Sequence, residues 1–359
     1  MDTVLEVRLI ATVIWQRCVR LLPGLLVAVL TAPAWAGPDL SEPTLVPPMF
    51  DPAGPGAENI RTMFWIVIGI TAVIFLLVTT SLVWFIFRYR EREDDDQTEP
   101  PQIYGSRALE FAWTLAPLLT VTVLAILVIR SVVQLHAKPA AQVSEQVRVV
   151  GHQWWWEFNY PDYGITTANE LVIPVSDLEQ ARPVDLQLES ADVIHSFWVP
   201  RLAGKTDLVP GRTNHMWMQA NHEGTYFGRC AEYCGTQHAK MLLRIESVSQ
   251  AAFAQWVEHQ QADANHDPAV EIGRRQFMEM ACMNCHTIRG TRASGRSGPD
   301  LTHLMSRKTL CAGIVENNRV NLTRWVTNPD NIKRGCRMPN MRLSDAEVKS
   351  IVDYLTTLE

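Results

Sequence analysis

The stretch CAEYCGTQHAKM, residues 230–241, sets two thiols, an imidazole and a thioether within twelve residues. Such soft donors suit copper. A mononuclear blue-copper site uses one Cys with His and a weak Met, so the pair Cys230 and Cys234 holds one thiol too many for it. Two thiolates can instead bridge two copper ions, each of which then needs its own imidazole. His238 supplies one. His195, in Asp192-Val-Ile-His195, is the best candidate for the other because it ends a predicted strand. A bridged pair shares one electron over both metals, so little geometry changes on reduction. Structural zinc is the competing reading. A Cys230–Cys234 disulfide would leave His238 and Met241 without a role.

Around this loop, from residue 136 to 259, the signals are those of strands. Val147–Val150 leads into Trp154–Phe158, and Glu170–Pro174, Val184–Leu188 and Leu242–Ile245 are short runs set between Pro, Gly, Asp and Asn. Short strands at this spacing predict an all-β sandwich or barrel. By spacing alone Trp154 reads as a core aromatic. Residues 260–268, QQADANHDP, read as a polar linker. Residues 269–359 carry a helical pattern. Ser344-Asp-Ala-Glu347 predicts a capping box, followed by a helix with Val348, Ile351, Val352 and Leu355 on one face.

Within that last domain, Cys282-Met-Asn-Cys285-His286 is the c-type haem attachment pattern. Two thiols form thioethers and the adjacent His becomes the proximal iron ligand. A thioredoxin-like redox pair would leave His286 unexplained. The sixth ligand should lie downstream. Met338, just before the last helix, is the choice, with Met341 and Met305 as alternatives. Pro299 offers a carbonyl to the far nitrogen of His286, which would set its tautomer. Cys311 and Cys336 are left over, either as a disulfide or as two buried thiols.

The N-terminal third is of a different kind. Residues 1–36 read as a signal peptide: Arg8, Arg17 and Arg20 precede an apolar stretch, and Ala34-Trp-Ala36 offers a cleavage site that would remove Cys18. Residues 37–135 form a predicted transmembrane hairpin. Its spans are 63–87 and 111–129, each free of charge and long enough to cross a bilayer. Arg88, Arg90, Arg92 and Arg107 put the intervening loop in the cytoplasm and the domains beyond residue 135 outside. Glu110 opens the second span, where an interfacial carboxylate is favoured by the helix dipole. The whole chain of 359 residues carries 32 basic and 38 acidic residues, net −6, which argues against a nucleic-acid binder. Its charge is uneven. Residues 136–266 hold 9 basic and 15 acidic residues, net −6, and residues 267–359 hold 14 and 10, net +4. Opposite signs suggest that the two outer domains dock electrostatically.

From about residue 60 to the end the chain resembles subunit II of cytochrome c oxidase in its caa3-like form with a fused cytochrome c. The motifs that carry the resemblance occur in the expected order. They are Trp113-Thr-x-x-Pro117, Gly151-His152-Gln153-Trp154, Asp192-Val-Ile-His195, Lys205-Thr206-Asp207, Pro210-Gly211-Arg212 and the 230–241 loop. Trp155 stands where the family usually has Tyr. The resemblance implies a cupredoxin-like Greek-key fold for the β domain and a binuclear CuA centre on His195, Cys230, Cys234, His238 and Met241. It further implies that Glu232 gives its backbone carbonyl to one copper and its carboxylate to a magnesium shared with subunit I. Trp154 then lies where electrons enter, and Glu110 at the mouth of a proton channel in subunit I.

The expected protein is therefore the subunit through which a cytochrome c-type donor feeds a proton-pumping terminal oxidase. It would sit in a bacterial inner membrane, with subunit I and subunit III as partners and its copper and haem c domains on the periplasmic side. The CuA subunit of a nitric oxide reductase and a membrane-anchored periplasmic electron-transfer module are the alternatives. A quinol oxidase subunit is disfavoured because such subunits lose the copper ligands. A copper-delivery protein would leave the haem motif and the anchor unexplained.

Overall fold

The computed structural model describes residues 50–90, 102, 104–137, 143–176 and 181–359. The predicted signal peptide, with Cys18, and Arg92 of the arginine-rich loop lie outside the described residues. Two long helices come first, α1 (Pro55–Arg88) and α2 (Arg107–His136). Both overrun the uncharged stretches predicted as spans, because helix continues into the polar flanks. Their Leu, Ile, Val and Phe side chains face outward, as a lipid-facing surface requires. Near the end that joins the outer domains, Asn59 donates to Gln134 at 3.1 Å and accepts from Ser131, which pairs the two helices through polar groups.

A strap ties α1 to the outer domain. Arg201 pairs with Asp51 at 2.5 Å, Ala53 N–H donates to Arg201 O, Asn221 N–H donates to Ala53 O and Ala57 N–H donates to Leu202 O.

The β domain holds ten strands in two sheets: β1 (Glu145–His152), β2 (Trp155–Tyr160), β3 (Ile165–Ala168), β4 (Glu170–Pro174), β5 (Val184–Ser190), β6 (His195–Trp198), β7 (Thr206–Leu208), β8 (Asn214–Met218), β9 (Gly224–Cys230) and β10 (Leu242–Val248). One sheet runs β3-β2-β1-β5-β8 and the other β4-β10-β9-β6-β7. Strand β1 is parallel to β5, and β4 to β10. Alternation along β2 and β5 drives Trp156, Phe158, Tyr160, Leu186 and Leu188 between the sheets, where they meet Phe197, Leu171 and Ile173. This is the cupredoxin-like sandwich expected.

Two details differ from the sequence reading. The domain ends in a helix, α3 (Gln250–Gln261), capped by Ser249. Its Phe253 and Val257 are buried on the sandwich at helical spacing. The segment 260–268 is also no free tether. Arg289 donates to Gln260 O and Ala262 O, and Gln261 donates to Tyr163 O.

The C-terminal domain is helical, with α4 (Glu271–Glu279), the single turn α5 (Cys282–Cys285), α6 (Arg319–Thr327) and α7 (Asp345–Leu355). It also contains one short hairpin, β11 (Thr309–Leu310) with β12 (Val315–Glu316). The Ser344–Glu347 capping box is present, and Val348, Ile351, Val352 and Leu355 are buried as predicted. Helix α4 crosses α7 at Gly273, where a Cβ would lie 1.9 Å from the Ser350 carbonyl oxygen. Gly273→Ala therefore forces the helices apart, and overpacking of this kind costs about 1–3 kcal/mol. The haem-loaded full chain should show a lowered melting temperature in the haem-domain transition, read at the haem absorbance, with the copper-domain transition unmoved.

The two outer domains meet along an extended seam. The buried Glu170 carboxylate accepts from Lys308 N–H, Thr309 N–H and the Thr309 hydroxyl. Leu242 N–H donates to Ala312 O at 3.2 Å. Docking by net charge, as the sequence suggests, is thus joined by directional hydrogen bonds from one domain to the other's backbone.

Candidate metal and haem sites

Strand β9 ends at Cys230, and the 231–241 loop folds back so that Cys230 N–H donates to Met241 O and Ala231 N–H donates to Ser196 O. This closure brings the sulfurs together. Cys230 Sγ and Cys234 Sγ are 3.7 Å apart. His195 Nδ1 lies 3.9 Å from Cys230 Sγ, and His238 Nδ1 lies 3.6 Å from Cys234 Sγ. Met241 Sδ is 3.9 Å from Cys234 Sγ, and Cys230 Sγ is 3.2 Å from the Glu232 carbonyl oxygen. Each thiol therefore has its own imidazole, with the thioether and the carbonyl at opposite ends. Cys230, Cys234, Met241 and His195 are all buried. His195 opens β6 rather than ending a strand, and its ring is buried.

Supporting groups hold this arrangement. Asp192 Oδ1 lies 2.8 Å from His195 Nε2 and orients the ring, while Asp192 Oδ2 accepts from Gln153 N–H. Burial alone would lower the His195 pKa, but the bonds to Asp192 and Cys230 outweigh it and raise it. Gly151 explains itself here, since a Cβ would lie 2.8 Å from His195 Cδ2. Cys230 is pulled down to about 3, chiefly by the Cys234 S–H beside it and then by His195. Cys234 is pushed up by that same neighbour and by burial. The pair is built to carry negative charge in a buried place, and a soft cation is what such a pair accepts. The donor set fits two copper ions.

Trp154 sits in the turn between β1 and β2, half-buried against the sandwich rather than inside it. Its Nε1–H donates to Cys234 O at 2.9 Å, and Gln153 Nε2–H donates to the same oxygen at 2.8 Å. Glu232 accepts from Tyr233 N–H. Glu110 lies in the first turn of α2, where the helix dipole favours a carboxylate.

In the helical domain, α5 presents Cys282 and Cys285 one turn apart, with His286 next. The His286 Nδ1–H donates to Pro299 O at 2.7 Å, so the tautomer predicted from Gly298-Pro299 is held and Nε2 is left for a metal. Burial lowers the His286 pKa, which keeps the ring neutral. Arg307 was not singled out from the sequence. Its guanidinium donates to Asp300 O, yet its buried Nε has no partner among the described residues. A buried cation short of one acceptor fits a cofactor with carboxylate groups, as haem has. Met338 and Met341 lie in the loop before α7, and Met305 packs against the domain core. Cys311 and Cys336 are free thiols in this structure, and burial pushes Cys311 up to about 12.

A two-span anchor, a β-sandwich with a sulfur-rich metal loop and a helical domain with a haem attachment site define a membrane-anchored electron-transfer protein. Residues 44–130 match the family model for the cytochrome c oxidase subunit II transmembrane domain. Residues 145–189 and 180–248 match that for its periplasmic domain, and residues 270–359 that for cytochrome c. The chain is 34% identical over 316 residues to cytochrome c oxidase subunit 2 of Alkalihalophilus pseudofirmus, covering 86% of this chain and 90% of the relative. It is 32% identical over 297 residues to the same subunit of Bacillus subtilis, covering 77% and 82%. The crystal structure of the periplasmic domain of subunit II of cytochrome oxidase from Bradyrhizobium japonicum is 32% identical and covers 34% of this chain and 97% of that one, at a TM-score of 0.32. The chain belongs to the cytochrome c oxidase subunit II family and carries a cytochrome c domain. Its role is electron transfer in a haem-copper terminal oxidase, beside subunit I, with CuA and haem c as the cofactors those two domains imply.

Proposed function

We propose that the chain takes electrons from a cytochrome c-type donor outside the membrane through its own haem domain and copper domain, and delivers them to subunit I of a proton-pumping oxidase. The observation that carries this reading is the pairing of each thiol with its own imidazole, at 3.9 Å and 3.6 Å, around a 3.7 Å sulfur pair. Cys230, Cys234, His195, His238, Met241 and the Glu232 carbonyl would hold the two coppers. Cys282 and Cys285 would anchor the haem, and His286 and Met338 would be the residues that hold its iron. When bound, the copper pair and the haem each supply a one-electron carrier.

The protein's residues do the rest. Asp192 keeps the His195 ring turned toward Cys230. The Pro299 carbonyl holds the proton on His286 Nδ1. Trp154, whose indole donates to the Cys234 carbonyl, is the group through which electrons enter toward the sulfur pair. The Glu232 carboxylate takes a magnesium shared with subunit I, and Glu110 serves proton uptake at the cytoplasmic side. Subunit III is a further partner, and the membrane is a bacterial inner membrane with both outer domains in the periplasm. The segmentation that goes with this reading is a signal peptide over 1–36, a hairpin to 135, a copper domain to 259 and a haem domain from 269.

Metal analysis of the full chain, matured with haem in detergent, tests the reading. Two coppers and one covalent haem iron per chain, with a mixed-valence copper signal, are expected. One copper, or zinc in its place, overturns the binuclear assignment.

A further inference from the structure

Lys333 belongs to the haem domain, yet its side chain ends inside the copper domain's surface. It is only 4% exposed. Its Nζ donates to Trp154 O at 2.6 Å and Lys240 O at 2.9 Å, both in the copper domain, and lies 3.4 Å from Cys311 O in its own. Trp154 in turn donates from its indole to Cys234 O. One residue therefore separates the lysine from the peptide of a proposed copper ligand. On its own side Lys333, five residues before Met338, accepts from Cys336 N–H.

The surrounding bonds repeat the pattern. Lys240 Nζ donates to Ile332 O at 3.2 Å, and Gln237 donates to Arg334 O. Arg337 donates to Gln153 Oε1 and lies 3.9 Å from Asp192, the carboxylate that orients His195. Thus the 332–337 segment engages the turn of Trp154, the 237–240 turn and the His195 support together.

We infer that Lys333 is a positioning residue that holds the haem domain in one orientation on the copper loop, so that transfer between the two proposed centres needs no diffusional docking. This rests on the proposed function and adds the group that sets the geometry. A buried ammonium whose acceptors come from both domains is satisfied in one arrangement only. Burial pulls its pKa down to about 8, and the carbonyls of Trp154, Lys240 and Cys311 are what offset that cost in this arrangement. Long-range charge attraction would tolerate many arrangements. Three aimed carbonyls do not.

The test uses the full chain loaded with copper and haem. Haem c is photoreduced by an attached ruthenium complex, and the rate of copper reduction is followed while salt is raised from 20 mM to 500 mM. For the parent chain a rate independent of salt is expected, because no encounter step is screened. A rate that falls steeply with salt overturns the proposal without any variant. Lys333→Met is expected to slow transfer by about tenfold, equivalent to about 1.4 kcal/mol, and to make it salt-dependent. Copper content, haem content and both spectra should stay unchanged, and Lys333→Arg should restore part of the rate. Amide exchange at Leu242, whose N–H reaches Ala312 O, should speed up in Lys333→Met. An unchanged rate and unchanged exchange in a fully loaded Lys333→Met chain sink the proposal. Failure of the parent chain to bind two coppers and a haem sinks instead the function on which it rests.

Discussion

Cys234→Ser is expected to hold at most one copper per chain and to lose the mixed-valence signal altogether. The substitution keeps the side chain's size and removes the sulfur that faces three other donors. Cys234 Sγ lies 3.7 Å from Cys230 Sγ, 3.6 Å from His238 Nδ1 and 3.9 Å from Met241 Sδ. A serine hydroxyl does not ionise near neutral pH and is a hard donor, so it cannot bridge soft metal ions. Only Cys230 with His195 remains as a pair. Oxidase turnover of the assembled complex should fall by more than about 100-fold, since losing even a supporting partner of a ligand costs 10–100-fold. The fold should survive, because the large side chains of the sandwich core, Trp156, Phe158 and Phe197 among them, are untouched. Leaving a buried hydroxyl poorly paired costs about 1–3 kcal/mol. Copper analysis, electron paramagnetic resonance and a melt of the metal-free chain check the three parts. Two coppers with an unaltered signal would remove Cys234 from the site.

The second large effect belongs to His286. In His286→Ala, the group that donates to Pro299 O and leaves Nε2 for iron is gone, and the alanine fills none of its space. Cys282 and Cys285 remain, so attachment chemistry is available but the proposed proximal ligand is not. Covalent haem per chain should fall, and any haem retained should lose the low-spin spectrum of two strong axial ligands. Haem binding is also folding free energy for this domain, so its helical signal should fall with it. The copper signal of the same chain should persist, because the sandwich has its own core. Mass spectrometry and reduced-minus-oxidised spectra separate these outcomes. A normal low-spin haem spectrum in His286→Ala would overturn the ligand assignment.

What could be read in advance depended on how far apart the participants lie in the chain. Cys230, Cys234, His238 and Met241 share one loop, so spacing alone brought them together. Cys282, Cys285 and His286 are closer still, and the Ser344–Glu347 cap is a local signal with a local cause. His195 was identified, but its place at the start of β6 depends on strand register, which no local pattern sets. Helix α3 carries Phe253, Trp256 and Val257 at helical spacing, but the run is only three turns long and follows a series of strands, so it does not stand out from them. The seam was invisible. Glu170 reaches residues 308 and 309, and Lys333 reaches Trp154, through contacts made only after both domains have folded. Net charge suggested that the domains attract, yet it carried no information on orientation. Arg307 looked like any surface arginine, and only its burial with an unpartnered Nε distinguishes it.

The strap from Asp51 to Ala57 has a mechanical consequence. It bonds the start of α1 to Arg201, Leu202 and Asn221 of the sandwich, with no slack between the first helix and the sheet that follows. A helix seated in the bilayer therefore acts as a post, and the sulfur loop rides at a set height on top of it. Tunnelling rates fall exponentially with distance, so a hinge at this point would spread delivery to subunit I over a range of rates as the domain rose and fell. The short mount, tied by four such bonds, makes insertion of α1 and registration of the copper loop one and the same event.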